Sequence, residues 1–261
     1  MSGGSQFRPA LNIASCAGIL ERAFEDKAAP AVAIVVNSPG GSPVQSRLIY
    51  KRIRDLAEEK KKKVHVFVED AAASGGYMIA CAGDDITVDP SSIVGSIGVV
   101  SASFGFVDAI KKAGVKRRVY TAGQNKSVLD PFMPEKKEDI NRLKALQLEI
   151  HDVFINLVKE SRGDRLADNK DLFTGMFWTG EKGIELGLAD AIGDVRSSLK
   201  ARYGENTELK LIEAKKGLFG RRSASGVSFL SQTAVTDVAA HAADGLMSVA
   251  EERALWSRLG L

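Results

Sequence analysis

Three short segments hold residues whose type and placement suit bond-making chemistry better than folding alone. The first is Asn37-Ser38-Pro39-Gly40-Gly41, which ends the apolar run AVAIVV at 31–36. Paired glycines tolerate positive φ and leave backbone N–H groups open to a bound group. The same letters also suit an ordinary turn ahead of a helix, and the phosphate-loop pattern GxxxxGK followed by serine or threonine is absent. The second segment is Ala71-Ala72-Ala73-Ser74-Gly75-Gly76-Tyr77, between a strand-like and a helix-like stretch. Small residues leave the Ser74 hydroxyl open to a substrate, and the Gly75 amide points from a helix N-terminus. Taken alone, Ser74 serves equally well as a simple helix cap. The third segment is Gly123-Gln124-Asn125-Lys126-Ser127. A lysine in a polar loop is ordinarily a surface charge. Buried beside a hydroxyl, it would be desolvated, its pKa would fall, and the neutral amine could accept the serine proton.

Other chemistries find less support. His65, His151 and His241 are the only histidines. His65 lies inside the run VHVFV and His151 on a long amphipathic stretch, so structural roles suit both better than a serine–histidine triad. The two cysteines, Cys16 and Cys81, are too few for a disulfide framework and lack zinc-ligand spacing. No metal or cofactor is expected, and a reducing compartment is the simpler setting. Apolar residues at 44% and charged residues at 26% exclude wholesale disorder and collagen-like composition. The formal net charge is +3, and the run Lys60, Lys61, Lys62, Lys63 reads as a solvated helix end. No nucleic-acid partner is called for. No apolar run approaches the roughly 20 residues that span a bilayer, and the opening MSGGSQFRPA lacks a signal-peptide core. The chain therefore reads as soluble. Its amphipathic stretch 228–261 is expected to pack on the body rather than lie on a membrane.

The elements that must position the three segments alternate between strand and helix, the signature of crossover units on a mostly parallel sheet. Strands are expected at 31–36, 64–68, 85–89, 93–101, 117–123 and 208–214, the last as a final strand. Helices are expected from Pro43 to Lys60, after EDAAASGG through Met78 and Ile79 to near Gly83, and at 106–114. Residues 135–161 carry Leu143, Leu146, Ile150, Val153 and Leu157 at three- and four-residue steps, which predicts one long scaffold helix with that apolar face packed. The stretch 173–194 reads as a turn, a short strand and a helix. Glycine, arginine and serine accumulate between Lys216 and Ser231 without apolar periodicity, as in a linker.

In this order the three segments resemble the signal peptide peptidase A (protease IV) family, including its SohB-type members. NSPGG is similar to that family's oxyanion-side turn, ASGGY to its nucleophile motif, and GSIGV at 95–99 with the loop around Lys126 to its general-base region. The interval of 52 positions from Ser74 to Lys126 also agrees with that family's spacing. The resemblance implies an α/β fold, a Clp-protease-like or crotonase-like spiral of ββα units with a long helix and a C-terminal helical segment. It divides the chain into a peptidase domain at 1–215, a linker or loop at 216–231 and a helical segment at 232–261. It implies that Ser74 attacks a peptide carbonyl while Lys126 accepts its proton, both within one chain. Gly41 and Gly75 would donate to the oxyanion, and Ser96 would orient the lysine. The substrates implied are extended hydrophobic peptides such as signal-peptide remnants, and related folds form closed homo-oligomers. The family's usual membrane anchor and first strand are not recognisable ahead of the helix that starts near Leu11. The expected location is thus cytoplasmic, with contact peripheral to the inner membrane left open. A crotonase-type acyl-CoA enzyme and a non-catalytic peptide-binding scaffold remain as alternatives.

Overall fold

The computed structural model describes residues 11–213 and 253–261. Six strands form one mixed sheet, β1 (Ala31–Ser38), β2 (Lys63–Ala73), β3 (Asp85–Val88), β4 (Ile93–Gly95), β5 (Phe177–Thr179) and β6 (Ala191–Ile192). The 11-residue β2 lies at the centre. It pairs in parallel with β1 along one edge and, on the other, with β3 over its first half and β4 over its second. β6 extends the sheet beyond β3 in parallel, and β5 extends it beyond β4 in the antiparallel sense. Val64 to Val68 are all buried, as expected of a strand covered on both faces.

Helix α1 (Ile13–Glu25) starts at Asn12, whose side chain accepts from the Ser15 amide, and packs against α2 (Pro43–Lys60). The bounds of α2 are the expected ones, for local reasons. The Ser42 hydroxyl caps its first turn, Pro43 occupies a position that needs no N–H, and Lys61 turns left-handed to end it. Ile49, Ile53, Leu56 and Ala57 form its buried face. Helix α3 (Gly75–Ala80) follows β2 directly and is buried along its whole length. Helices α4 (Val107–Lys112), α5 (Lys137–Arg162), α6 (Gly180–Glu185) and α7 (Val195–Tyr203) complete the described body, with a short helical stretch at 253–257.

Arg162, 1% exposed, ties the end of α5 to the far side of the sheet. Its guanidinium donates to both Asp190 oxygens at 2.8 and 2.9 Å, and its Nε donates to the Gly187 carbonyl at 2.7 Å. Burial opposes the charge on Asp190, but the Arg162 bonds outweigh it and hold the carboxyl below its usual range.

Several expectations fail, each for a tertiary reason. The strand expected at 93–101 stops at Gly95, because Gly95 (φ 104°) and Ser96 (φ 53°) turn the chain out of extended conformation. Residues 117–123 form no strand, since no neighbouring strand lies alongside to take their backbone groups. Residues 208–213 are likewise irregular and are tethered through Lys210 to Asp26 at 2.6 Å. Helix α5 forms, but Leu146, Ile150 and Val153 of its expected packed face are exposed, and burial falls on Phe154, Leu157, Val158 and Arg162. The linker expected at 216–231 and most of the helical segment expected at 232–261 lie outside the described residues.

Candidate active site

Ser74 occupies the elbow between β2 and α3 with φ 50° and ψ −120°, a conformation that non-glycine residues rarely adopt. Its side chain makes no capping bond to α3, so the simple cap does not describe it. The elbow is held by its backbone: the Ser74 N–H donates to the Gly95 carbonyl at 2.9 Å, and its carbonyl accepts from Met78 N–H at 3.1 Å. Register explains why the segments meet. β1 and β4 flank the second half of β2, at Ser38–Ala72 and Gly95–Ala73 respectively, so the chain leaving either strand emerges beside Ser74.

The turn after β1 is anchored by Asn37, whose side-chain amide donates to Asp70 at 2.7 Å and whose Oδ1 accepts from the Ala71 N–H at 3.3 Å. Gly40 lies against the serine. A Cβ there would stand 3.1 Å from Ser74 Cβ and 3.5 Å from its Oγ, and the backbone has φ 138°. Gly75 is equally confined, because a Cβ on it would lie 2.5 Å from Ser46 Oγ and 3.2 Å from the Gly41 nitrogen. Gly41 itself has nothing within 4 Å of its Cβ position and faces open space. Gly41, Ser74, Gly75 and Ser96 therefore gather at one cleft of about 500 Å³, whose walls include Met78, Phe154 and Phe177.

Lys126 is placed elsewhere. It is exposed and does not line the cleft, and the stretch 101–126 that carries it is exposed almost throughout, including Phe104 at 71% and Tyr120 at 90%. Several lining positions were not singled out from sequence as site residues, two groups of them polar or distant in sequence. His151 reaches the cleft from α5, and Leu255, Arg258 and Leu259 reach it from the far end of the described chain. His151 sits one helical turn before the buried Phe154, and only that spacing hinted that it faces the body. His65 lies outside this cleft, bonded to Asp85 at 2.8 Å and to the Tyr203 hydroxyl at 2.8 Å. Among the described residues no group of histidine, cysteine, aspartate and glutamate side chains gathers to hold a metal ion.

A serine strained at a strand-to-helix elbow and open to a cleft fits the class of serine-type hydrolases. The chain belongs to peptidase family S49, whose model matches residues 57–207. It is 33% identical over 188 residues to Protease 4 of Haemophilus influenzae, covering 70% of this chain and 29% of that protein. It is 29% identical over 198 residues to the chloroplastic serine protease SPPA of Arabidopsis thaliana, covering 74% of this chain and 29% of that one. A protein of Brucella abortus named Na(+)/H(+) antiporter NhaA is 64% identical over all 261 residues, which make up 36% of its length. The chain thus spans about a third of the curated relatives it matches here. No helix among the described residues is long and apolar enough to cross a membrane.

Proposed function

We propose that the chain hydrolyses extended hydrophobic peptides, with Ser74 as nucleophile, Lys126 as general base and the Gly41 and Gly75 amides as oxyanion donors. The observation that carries this reading is the strained Ser74, without a capping bond to α3, packed against Gly40 at a cleft whose walls include Met78, Phe154 and Phe177. Backbone strain of this kind persists where surrounding structure holds it, and it aims the hydroxyl outward instead of into the helix. In the reaction Ser74 Oγ adds to the peptide carbonyl while its proton passes to a neutral Lys126 amine. Collapse of the tetrahedral intermediate then returns that proton to the leaving amine, and water repeats the sequence on the acyl-enzyme. Ser96, also on the cleft, is the hydroxyl suited to orient the lysine. The acyl-CoA alternative gains no support, since none of the cleft-lining residues is a carboxylate.

Lys126 completes such a dyad only when the exposed segment bearing it is packed against a cleft. In place of the dyad expected within one chain, a closed homo-oligomer supplies that packing at the contact between neighbouring copies, and the exposed Phe104, Val115 and Tyr120 would be covered there. Parallel strands with crossover helices are compatible with the spiral plan of Clp-protease-like folds. Two cysteines without partners suit work in the cytoplasm.

The test is a fluorophosphonate probe with mass-spectrometric site assignment, alongside hydrolysis of a hydrophobic peptide ester. Ser74→Ala and Lys126→Ala should each abolish hydrolysis while remaining folded, and Lys126→Arg should fail because guanidinium stays protonated. Mixing the Ser74→Ala and Lys126→Ala proteins should restore part of the activity if serine and lysine meet across copies. Full activity in either single variant would sink the dyad.

A further inference from the structure

We infer that His151 is a positioning residue for the Ser74 site, acting through the Ile97 carbonyl to hold the cleft wall formed by Gly95 to Gly98. The inference rests on the reading of Ser74 as nucleophile. His151 is a half-buried side chain on α5 that lines the cleft, and its Nε2 stands 2.9 Å from the Ile97 oxygen. A carbonyl can only accept, so Nε2 carries the proton and donates. Ile97 is fully buried, and its carbonyl has in this ring N–H a partner that water cannot readily replace.

That wall is poised where it matters. Gly95 accepts the Ser74 N–H at 2.9 Å, so any movement of the wall is felt at the nucleophile's own backbone. The next residue, Ser96, has φ 53°, a conformation that must be held by its surroundings. It is held on one side by its own N–H, which donates to the Met176 carbonyl at 2.7 Å, and is followed by a tight turn in which Gly98 N–H donates to the Ser96 carbonyl at 2.9 Å. On the other side the hold is His151. The residue stands where α5 changes character. Leu146, Leu148 and Ile150 before it are exposed, whereas Phe154, Leu157 and Val158 after it are buried. It is thus the point at which the exposed half of α5 grips the cleft.

Three substitutions separate positioning from bulk packing. Gln places an amide N–H near the position of Nε2, Asn places it near Nδ1 and so short of Ile97, and Leu offers no donor. We expect His151→Leu and His151→Asn to slow fluorophosphonate labelling of Ser74 by roughly tenfold to a hundredfold, the scale of a displacement of about 1 Å at a reacting centre. His151→Gln should recover most of the rate. All three should show cooperative thermal unfolding well above the assay temperature. Asn and Leu variants that label at the wild-type rate, or a Gln variant as slow as Leu, overturn the inference while leaving Ser74 in place as nucleophile. Wild-type labelling at any residue other than Ser74 overturns the Ser74 reading, and this one with it.

Discussion

Replacing Gly75 with alanine tests whether the site depends on the close approach of α3 to the turn after β1. The added methyl would stand 2.5 Å from Ser46 Oγ and 3.2 Å from the Gly41 nitrogen, with the Gly41 oxygen at 3.4 Å. The first contact can be relieved by rotating the Ser46 hydroxyl, although Ser46 is only 6% exposed and space is short. The contacts to Gly41 are to backbone and can be relieved only by moving the turn. Overpacking of this kind costs about 1–3 kcal/mol, while alanine in a helix gains up to about 1 kcal/mol over glycine. The net loss of stability should therefore be modest, about 1 kcal/mol by urea denaturation. The effect on function should be much larger if the displaced Gly41 amide is, as proposed above, one of the two oxyanion donors, since loss of one such donor costs about 100-fold or more in rate. Ser46→Ala added to Gly75→Ala should recover stability but not labelling of Ser74 by a fluorophosphonate, since the Gly41 contact remains. A Gly75→Ala protein of wild-type stability that labels at the wild-type rate would refute this account of the oxyanion side.

Asp190→Asn should destabilise the protein by about 3 kcal/mol at pH 7, because it leaves the buried Arg162 without its counter-charge. The Asp190 carboxyl is held below its usual range in the folded state, so its contribution is present above the unfolded pKa of about 3.9 and is lost as pH falls through the lower folded value. The gap between wild type and variant in urea midpoint should therefore narrow below about pH 4, and an equal gap at pH 7 and pH 3 would contradict the assignment. Burial pushes the Cys81 thiol up to about 12, so a disulfide reagent at pH 8 should titrate Cys16 alone in the native protein and both thiols after unfolding.

The sequence alone determined the elements whose ends are written locally. Helix α2 begins and ends where Ser42, Pro43 and the lysine run place it, and the apolar β-branched runs of β1 and β2 form strands at the expected positions, β2 buried from Val64 to Val68 and β1 buried at Val32 and Val36. It also marked the segments around Gly41 and Ser74, because glycines beside a polar side chain at a strand end are a local signal, whereas Ser96 and the role of Lys126 came only from the resemblance to the peptidase family. Tertiary structure decided the rest, where the controlling partner is distant in sequence. Ser74 is equally a cap or an open hydroxyl until the pairing of β2 with β4 sets its backbone and leaves its side chain free of α3. Residues 117–123 have strand-forming side chains but no strand beside them, and an unpaired strand cannot satisfy its own backbone. The period of α5 predicted an apolar face without saying what covers it. Only packing shows that its second half meets the body, that Leu146, Ile150 and Val153 do not, and that His151 stands between them at the cleft.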